Sequence, residues 1–386
     1  MNPGTGHDPE TLDLETLRGR QSLKWTAFER DVLPAWVAET DFRPPEAVRD
    51  ALFEAIEIGD TGYPNPGAAG LDRAFAGFAE RQLGWSVEPG RVTAVADVVG
   101  GISSLLDLVT EPDDGVIINP PVYPPFFTVV EQLGRRVVEV PLAGGDSLDL
   151  AGFERAIDGG AKAILLCNPH NPTGTVFDGD DLRSLAEIAE ASDVEVISDE
   201  IHAPLVLDPI PHTPWLTVSE EARKTGFCVT SASKAFNLPG LSCAVIATAS
   251  DEKAATVERL PFVARHPSHL GVIASSTAFR ECDDWLEGLR RRLRSNRDLL
   301  GELLAERVPA VGWTPPAAGY LAWLDFRGLG LGEDPAALIL ERGRVALSGG
   351  IPFGPGGEGY CRLNFGTSPD LIEMAVDGIA RALVRT

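Results

Sequence analysis

The sequence SASKAFNLPGL, residues 231–241, contains the residue on which the interpretation of this chain depends. Lys234 has Ser, Ala, Phe, Asn, Leu and Pro as neighbours, and it is the only charged residue between positions 225 and 250. A lysine removed from water has a lowered pKa, which frees its amine to form a Schiff base with a carbonyl compound. Ser231 and Ser233 add hydroxyl groups that are suited to hold a phosphate. Together these features indicate a lysine that binds pyridoxal 5′-phosphate (PLP).

Lys234 follows a short strand-like run, 227–230, and similar apolar runs recur along the chain. Further strands are predicted at 116–118, 137–140, 163–167, 194–198 and 244–247. Helical patterns lie between them, as in 180–191, where the apolar side chains fall on one face. Apolar strands that alternate with helices predict an α/β fold whose mostly parallel sheet is covered by helices on both sides.

The chain changes character after this alternating region, where a long charged helix is predicted over 284–307. Shorter elements follow it, namely strands at 320–326 and 360–365 and a helix at 335–342. Residues 1–22 are polar and are expected to be loosely held. We therefore predict an N-terminal arm that contributes to the small domain (1–45), a large PLP-binding domain (46–283) and a small α+β C-terminal domain (284–386).

The composition limits the class of protein. The chain has 57 acidic and 33 basic residues and a net charge of −24, so it is expected to repel nucleic acid and anionic membranes. No apolar run approaches the about 20 residues of a membrane helix, and the N-terminus lacks an apolar signal core. The five cysteines are odd in number and dispersed, which argues against disulfides and a metal site. A soluble, cytoplasmic protein is expected.

Three polar residues come directly after predicted strands. Asp199 follows 194–198, Asn171 follows 163–167, and Lys234 follows 227–230. Each alone has an ordinary explanation, because Asp and Asn are common in turns and caps. In an open α/β sheet, however, ligands bind beyond the carboxyl ends of the strands. The three side chains together therefore predict one site at that edge.

A family resemblance rests on seven motifs in order along the chain. They are LKW (23–25), WVAETDF (36–42), PVYPPFF (121–127), LLCNPHNPTG (165–174), SDEIH (198–202), SASKAFNLPGL (231–241) and RLNFGTS (362–368). The chain resembles the class I/II aminotransferase superfamily of PLP fold type I, and more narrowly its cystathionine β-lyase or cysteine-S-conjugate β-lyase branch. The resemblance runs from about residue 23 to the C-terminus. It implies a large domain with a mostly parallel sheet of the seven-stranded type.

The resemblance implies a role for each matching residue. Lys234 holds PLP and then acts as base and acid at the substrate Cα. Asp199 pairs with the pyridine nitrogen and keeps it protonated, so that the ring withdraws electrons. Asn171 donates to the phenolic oxygen of the ring, with His202 close by, and Tyr123 stacks on the ring.

The phosphate of the cofactor is assigned to two further groups. Ser231 and Ser233 offer hydroxyls, and Val99 and Gly100 open an apolar helix whose backbone amides face an anion. Tyr63, in TGYPNP, matches a tyrosine that in this superfamily reaches the phosphate of the neighbouring subunit. That match implies a homodimer with shared active sites.

Arg362 is the candidate for binding the α-carboxylate of an amino-acid substrate. A guanidinium group matches a carboxylate in two parallel hydrogen bonds. Most arginines are solvated surface charges, but this one lies between Cys361 and Leu363 in a strand-like run.

Two reactions remain open at this point. Aminotransferases of this class commonly carry a phosphate-binding arginine eight residues after the lysine, where this chain has Ser242. Its absence favours a carbon–sulfur β-lyase that acts on cystathionine or other S-substituted cysteines. Thr40 also departs from the branch, which usually has methionine there. An aminotransferase or another PLP-dependent amino-acid enzyme of specialised metabolism is the alternative.

Overall fold

The computed structural model describes residues 9–384. The strands are, in chain order, β1 (Leu33–Pro34), β2 (Val92–Val95), β3 (Gly115–Ile118), β4 (Arg136–Glu139), β5 (Ala161–Cys167), β6 (Glu195–Asp199), β7 (Gly226–Thr230), β8 (Ala244–Ala247), β9 (Gly312–Trp313), β10 (Leu321–Asp325), β11 (Val345–Ala346), β12 (Ser348–Gly349) and β13 (Tyr360–Asn364).

The helices alternate with these strands. In chain order they are α1 (Leu14–Arg18), α2 (Leu23–Thr26), α3 (Glu46–Glu57), α4 (Pro66–Ala69), α5 (Leu71–Leu83), α6 (Val98–Val109), α7 (Pro125–Gln132), α8 (Leu150–Asp158), α9 (Gly179–Ala191), α10 (Trp215–Val218), α11 (Glu220–Thr225), α12 (Ala232–Ala235), α13 (Asp251–Glu258), α14 (His269–Glu281), α15 (Asp283–Arg307), α16 (Pro335–Leu338) and α17 (Pro369–Leu383). Short 3₁₀ turns lie at Pro89–Arg91, Ala203–Leu205, Pro239–Leu241, Arg327–Leu329 and Ile351–Phe353, and a π-helical turn at Ile339–Gly343 follows α16.

A seven-stranded sheet with the order β2-β8-β7-β6-β5-β3-β4 forms the centre of the larger part of the chain. All pairings are parallel except those of β8, which runs antiparallel to both β2 and β7. The predicted strands are all present within a few residues, so the predicted α/β class is confirmed. The edge strand β2 escaped prediction because it is short and only partly buried.

Helices cover both faces of this sheet. On β5, Ile164 and Leu166 enter one apolar core, whereas Ala163, Leu165 and Cys167 enter the other. This alternation is the period of two that a strand imposes on its side chains. A strand buried on both faces must be apolar throughout, which is why the central strands were recognisable in the sequence.

The C-terminal part contains a small antiparallel sheet with the order β12-β13-β10-β9. The predicted long helix is present as α15, and the predicted helix at 335–342 is shorter in α-form because its second half is the π-helical turn. Strand β1 of the arm pairs in parallel with β11. The three-part division of the chain, with boundaries at 45/46 and 283/284, remains a prediction.

The N-terminal arm is held more firmly than its polar sequence predicted. Residues 1–8 lie outside the described part of the chain, but α1 begins at Leu14 and buries Leu17 completely. Arg20 donates to the backbone carbonyls of Thr40 (3.3 Å) and Phe42 (3.4 Å). The expectation that residues 9–22 are loosely held was therefore wrong, because one buried leucine and one arginine fix this segment.

Candidate active site

A cleft of about 220 Å³ lies beyond the carboxyl ends of β5, β6 and β7. The predicted site residues that line it are Val99, Tyr123, Asn171, Asp199, His202, Ser231, Ser233, Lys234 and Arg362. The parallel strands bring their ends to one edge, and the small sheet adds Arg362 from β13. Of the predicted set, Gly100 and Tyr63 are not in the lining.

Lys234 lies in α12, the short helix that follows β7. Its Nζ donates to the backbone carbonyl of Ala38 at 2.9 Å. Burial and, to a lesser extent, the nearby positive charge of Arg362 lower the pKa of Lys234 to about 8, against the raising effects of Glu39 and Asp199. More of the amine is therefore neutral near neutral pH than in a solvent-exposed lysine, as a nucleophile or base requires.

Asp199 ends β6 and is only 4% exposed. Its Oδ1 accepts the N–H of Ile201 at 3.1 Å. Burial raises the pKa of Asp199 to about 7, against the lowering effects of that hydrogen bond and of Lys234. A buried carboxylate whose hydrogen-bond donor is neutral favours a cationic ligand, such as a protonated ring nitrogen.

Arg362 and Asn171 meet across the boundary between the two sheets. The Nη1 of Arg362 donates to Asn171 Oδ1 at 2.9 Å, and Nη2 donates to the carbonyl of Trp36 at 3.1 Å and more distantly to Ser348 Oγ at 3.4 Å. The guanidinium also lies over the Phe353 ring, with Cζ 5.0 Å from the centroid. These contacts give Arg362 a fixed orientation in the cleft.

The charge of Arg362 is poorly compensated. All its acceptors are neutral groups, and its buried Nε has no hydrogen-bond partner. Burial lowers the pKa of Arg362 to about 10, although Tyr123 and Tyr320 raise it. A carboxylate brought to this position would supply the missing counter-charge and the missing acceptor.

His202 and Tyr123 form the aromatic part of the lining. His202 is buried and its Nδ1 has no hydrogen-bond partner. Burial lowers the pKa of His202 to about 3, so the ring is neutral. Burial likewise raises the pKa of Tyr123, which keeps its phenol protonated. Both rings therefore offer neutral hydrogen-bonding groups to a ligand.

The predicted phosphate groups are only partly free. Ser231 Oγ donates to the Cys243 carbonyl at 2.6 Å and accepts the N–H of Ser233 at 3.0 Å, so it caps α12. The N–H of Gly100 donates to Asp97 Oδ1 at 2.8 Å, which caps α6. Val99 and the hydroxyl-bearing Ser233 line the cleft directly. The roles of these residues toward a phosphate stay predictions.

Tyr63 does not belong to the cleft of its own chain. It lies in a loop before α4, is 90% exposed, and forms an edge-type ring contact with His266, with centroids 6.0 Å apart. Contact with a neighbouring subunit stays a prediction.

Sequence reasoning missed two contributions to the cleft. Asp97 lines the cleft and caps α6. Because aspartate is common at helix caps, its place in the sequence did not indicate that it also lines the cleft. The segment 36–42 crosses the cleft, and the carbonyls of Trp36 and Ala38 contact Arg362 and Lys234. Backbone carbonyls leave no signature in a sequence, so only the segment's motif was recognisable.

The two positions at which the chain departs from the family pattern have different locations. Ser242 lines the cleft in a left-handed backbone conformation, with φ of 47°. Thr40 is outside the lining, 1% exposed, and its Oγ1 has no hydrogen-bond partner.

Residues 9–384 contain neither a metal-binding cluster nor a membrane-spanning helix. No cluster of three or more His, Cys, Asp or Glu side chains is arranged to hold a metal ion in this part of the chain. Within the same residues, no helix is both long and apolar enough to cross a bilayer.

The residues present fit a PLP group. Lys234 has a partly neutral amine, Asp199 is a buried carboxylate with a neutral donor, and His202 has an orphaned ring nitrogen in the same cleft. Arg362, which lines the same cleft, has a buried Nε without a hydrogen-bond partner. Asp199 therefore suits a protonated ring nitrogen, Lys234 a carbonyl carbon, and Arg362 the anionic group of a substrate.

Comparison with known proteins agrees with this geometry. Residues 37–379 match the family model of class I and II aminotransferases. A cystathionine beta-lyase of Corynebacterium glutamicum is 38% identical over 96% of this chain and 99% of its own length. A Corynebacterium diphtheriae structure assigned as a PLP-dependent beta-cystathionase has a TM-score of 0.93 and 37% identity, covering 97% of this chain and 99% of that one. The PLP-bound C-S lyase of Staphylococcus hominis has a TM-score of 0.89 and 25% identity, covering 98% and 99%.

The fold and the cleft together define the class of PLP fold type I proteins, as the motifs predicted. Within that class, the chain belongs to the class I and II aminotransferase family. The resemblance stated for the sequence is therefore confirmed at the level of family and fold.

Proposed function

We propose that this protein is a PLP-dependent carbon–sulfur β-lyase that converts cystathionine or other S-substituted L-cysteines into a thiol, pyruvate and ammonia. The observation that carries the proposal is the cleft that combines Lys234, the buried carboxylate of Asp199 and the uncompensated Arg362. The relatives that are named as cystathionine beta-lyases and C-S lyases support the choice of reaction. Ser242 supports it as well, because an aminotransferase of this class commonly has arginine there.

Each residue has a distinct task in this reaction. When bound, PLP withdraws electrons from the Cα of the amino acid and so acidifies its proton. Asp199 keeps the ring nitrogen protonated, and Asn171 and His202 offer hydrogen bonds to the ring. Arg362 holds the substrate α-carboxylate. Lys234 takes the proton from Cα, the thiolate leaves Cβ, and the resulting 2-aminoacrylate hydrolyses to pyruvate and ammonia.

A homodimer with shared active sites is part of the proposal. Several large apolar side chains are exposed on this chain, and such side chains mark an interaction surface where they lie together. They include Phe53 (68%), Ile58 (73%), Phe262 (73%) and Val263 (74%), together with Tyr63 (90%). The Tyr63 ring neighbours His266, which in turn neighbours Phe262, so Tyr63 shares its surface with one of these residues. In the proposed dimer a second copy covers this surface, and Tyr63 reaches the phosphate side of the partner's cleft, as the resemblance implies.

A cytoplasmic location also belongs to the proposal. The five cysteines are free and buried, as in proteins of reducing compartments.

The reaction is tested by its products. Purified protein with L-cystathionine should release pyruvate and thiol in equal amounts, and 2-oxoglutarate should not change the rate. Efficient amino transfer to 2-oxoglutarate without pyruvate would establish the aminotransferase instead. Borohydride reduction followed by peptide mass spectrometry should place the cofactor on the peptide that contains Lys234. A label on any other lysine would contradict the site.

A further inference from the structure

One backbone oxygen in the cleft accepts hydrogen bonds from two side chains. The carbonyl of Ala38 accepts from Lys234 Nζ at 2.9 Å and from the phenol of Tyr320 at 3.0 Å. Tyr320 directly precedes β10 and is 1% exposed, so its hydroxyl cannot be paired by bulk water. The two donors together occupy both lone pairs of this oxygen.

The carbonyl lies in a stretch without regular secondary structure, and the carbonyls on either side of it are also held by hydrogen bonds. Asn364, at the end of β13, donates from Nδ2 to the carbonyls of Val37 and Glu39, both at 2.7 Å. Asn364 is 2% exposed, and its Oδ1 accepts the N–H of Gly366 at 2.7 Å. The position of the Ala38 oxygen is thus set by Tyr320 and Asn364.

We infer that Tyr320 and Asn364 are positioning residues for Lys234, and that the Ala38 carbonyl they fix is the site where the Lys234 amine rests whenever it is not bonded to the cofactor. The inference rests on the proposed role of Lys234 as the base at Cα.

The chemistry of a carbonyl suits this task. A base must keep its lone pair free for the incoming proton and must then be stabilised as a cation. A carbonyl only accepts, so it binds an N–H of the neutral amine without competing for the lone pair. It also accepts from the ammonium group after the proton has moved from the substrate Cα to Nζ. A carboxylate here would hold the lysine protonated.

The phenol of Tyr320 adjusts the strength of this contact. Because Tyr320 also donates to the Ala38 oxygen, it competes with Lys234 and weakens the stabilisation of the ammonium form. The other groups that face Lys234 are Arg362, Glu39, Asp199 and His202. The Tyr320→Phe variant keeps these four side chains and the ring that lies beside His202. It removes the competing donor, together with the effect of the phenol on Arg362. The pKa of the Lys234 amine is therefore expected to rise in this variant.

Steady-state kinetics of the holoenzyme with L-cystathionine test the inference. For Tyr320→Phe we expect kcat to fall about tenfold, as for the loss of one hydrogen bond, while KM stays within about twofold. The acid limb of the kcat–pH profile should move to higher pH. The isotope effect on kcat with substrate deuterated at Cα should increase, because proton removal becomes slower. A purely structural role of the phenol would change neither of these two readouts.

A second readout does not depend on activity. Competitive acetylation of the full chain after removal of the cofactor should show Lys234 reacting with a higher pH midpoint in Tyr320→Phe than in the wild type. Tyr360→Phe is the matched control, because it removes a phenol from the neighbouring strand β13 at a site stacked on Trp323, and it should behave as wild type.

Several outcomes would overturn the inference. One is a kcat–pH profile, isotope effect and acetylation midpoint that coincide with the wild type. If Tyr320→Phe does not fold, Asn364→Ser tests the same contact, and a wild-type kcat in that variant would also overturn it. Pyruvate formation by the wild type is unaffected by either result, so failure of the inference is distinct from failure of the proposed lyase.

Discussion

Two lysines donate hydrogen bonds to backbone carbonyls of the 36–42 segment, but only one of them pairs with a carboxylate. Lys24 donates to the carbonyl of Glu39 at 3.1 Å, and Lys234 donates to that of Ala38 at 2.9 Å. Lys24 also pairs with Asp41, whose Oδ2 lies 2.7 Å from its Nζ. The hydrogen-bond acceptor of Lys234 is the neutral carbonyl alone.

Burial alone does not make one of these lysines reactive. Lys24 is only 2% exposed, whereas Lys234 is half-buried on the wall of the cleft, so the structural lysine is the less accessible of the two. What sets Lys234 apart is the lack of a carboxylate partner and the neighbouring charge of Arg362, which help burial to lower its pKa. A lysine that is partly shielded from water is thus reactive where no carboxylate pairs with it.

The largest effect is expected at the reactive lysine. Lys234→Ala should lower the rate of pyruvate formation roughly ten-thousandfold, because it removes the base. Its free energy of unfolding should stay within about 1 kcal/mol of the wild type, since no ion pair is broken. Stopped assays for pyruvate and urea unfolding check the two expectations. Retention of more than a tenth of the activity would reverse the assignment of the two lysines.

The structural lysine should give the opposite result. Lys24→Met leaves the buried Asp41 with only the more distant Arg20, whose Nη1 lies 3.8 Å from Asp41 Oδ1, and should lower the free energy of unfolding by about 3 kcal/mol. The molecules that remain folded should keep kcat within a few-fold of the wild type. Urea unfolding and active-site titration measure these quantities. Unchanged stability together with lost activity would show that Lys24 belongs to the active site.

The sequence predicts the residues around the reactive lysine better than those around the structural lysine. Asp199 and Asn171 were predictable because parallel strands place their carboxyl ends at one edge, and Lys234 because its neighbours carry no charge. Lys24 and Asp41 are 17 positions apart. No helical or strand period connects them, so the sequence does not predict that they pair. The contacts of Ala38 and Trp36 use backbone oxygens, which any residue would supply. Their position depends on tertiary packing alone.

The last contrast concerns the two aspartates, because Asp41 is paired with a lysine and Asp199 is not. Burial raises the pKa of Asp199 to about 7, so between about pH 4 and pH 7 the folded chain holds a proton there that the unfolded chain has lost. The contribution of Asp199 to the free energy of unfolding therefore falls as pH rises through this window. Asp199→Asn removes this pH-dependent destabilisation. Without cofactor, the free energy of unfolding of the variant should exceed that of the wild type by about 1–3 kcal/mol at pH 8 and should differ little at pH 4.

Urea unfolding of the cofactor-free chain at both pH values measures this difference, and Asp41→Asn is the matched control. Asp41→Asn removes the carboxylate that pairs with the buried Lys24, so it should lower the free energy of unfolding at pH 8. Asp199→Asn should raise it. If Asp199→Asn raised the free energy of unfolding equally at pH 4 and pH 8, burial would not destabilise the charged form of Asp199. The fold would then gain nothing from a cation bound at Asp199. The opposite signs follow from one cause, since stability requires a buried charge to be paired, whereas binding a charged ligand requires that it be left unpaired.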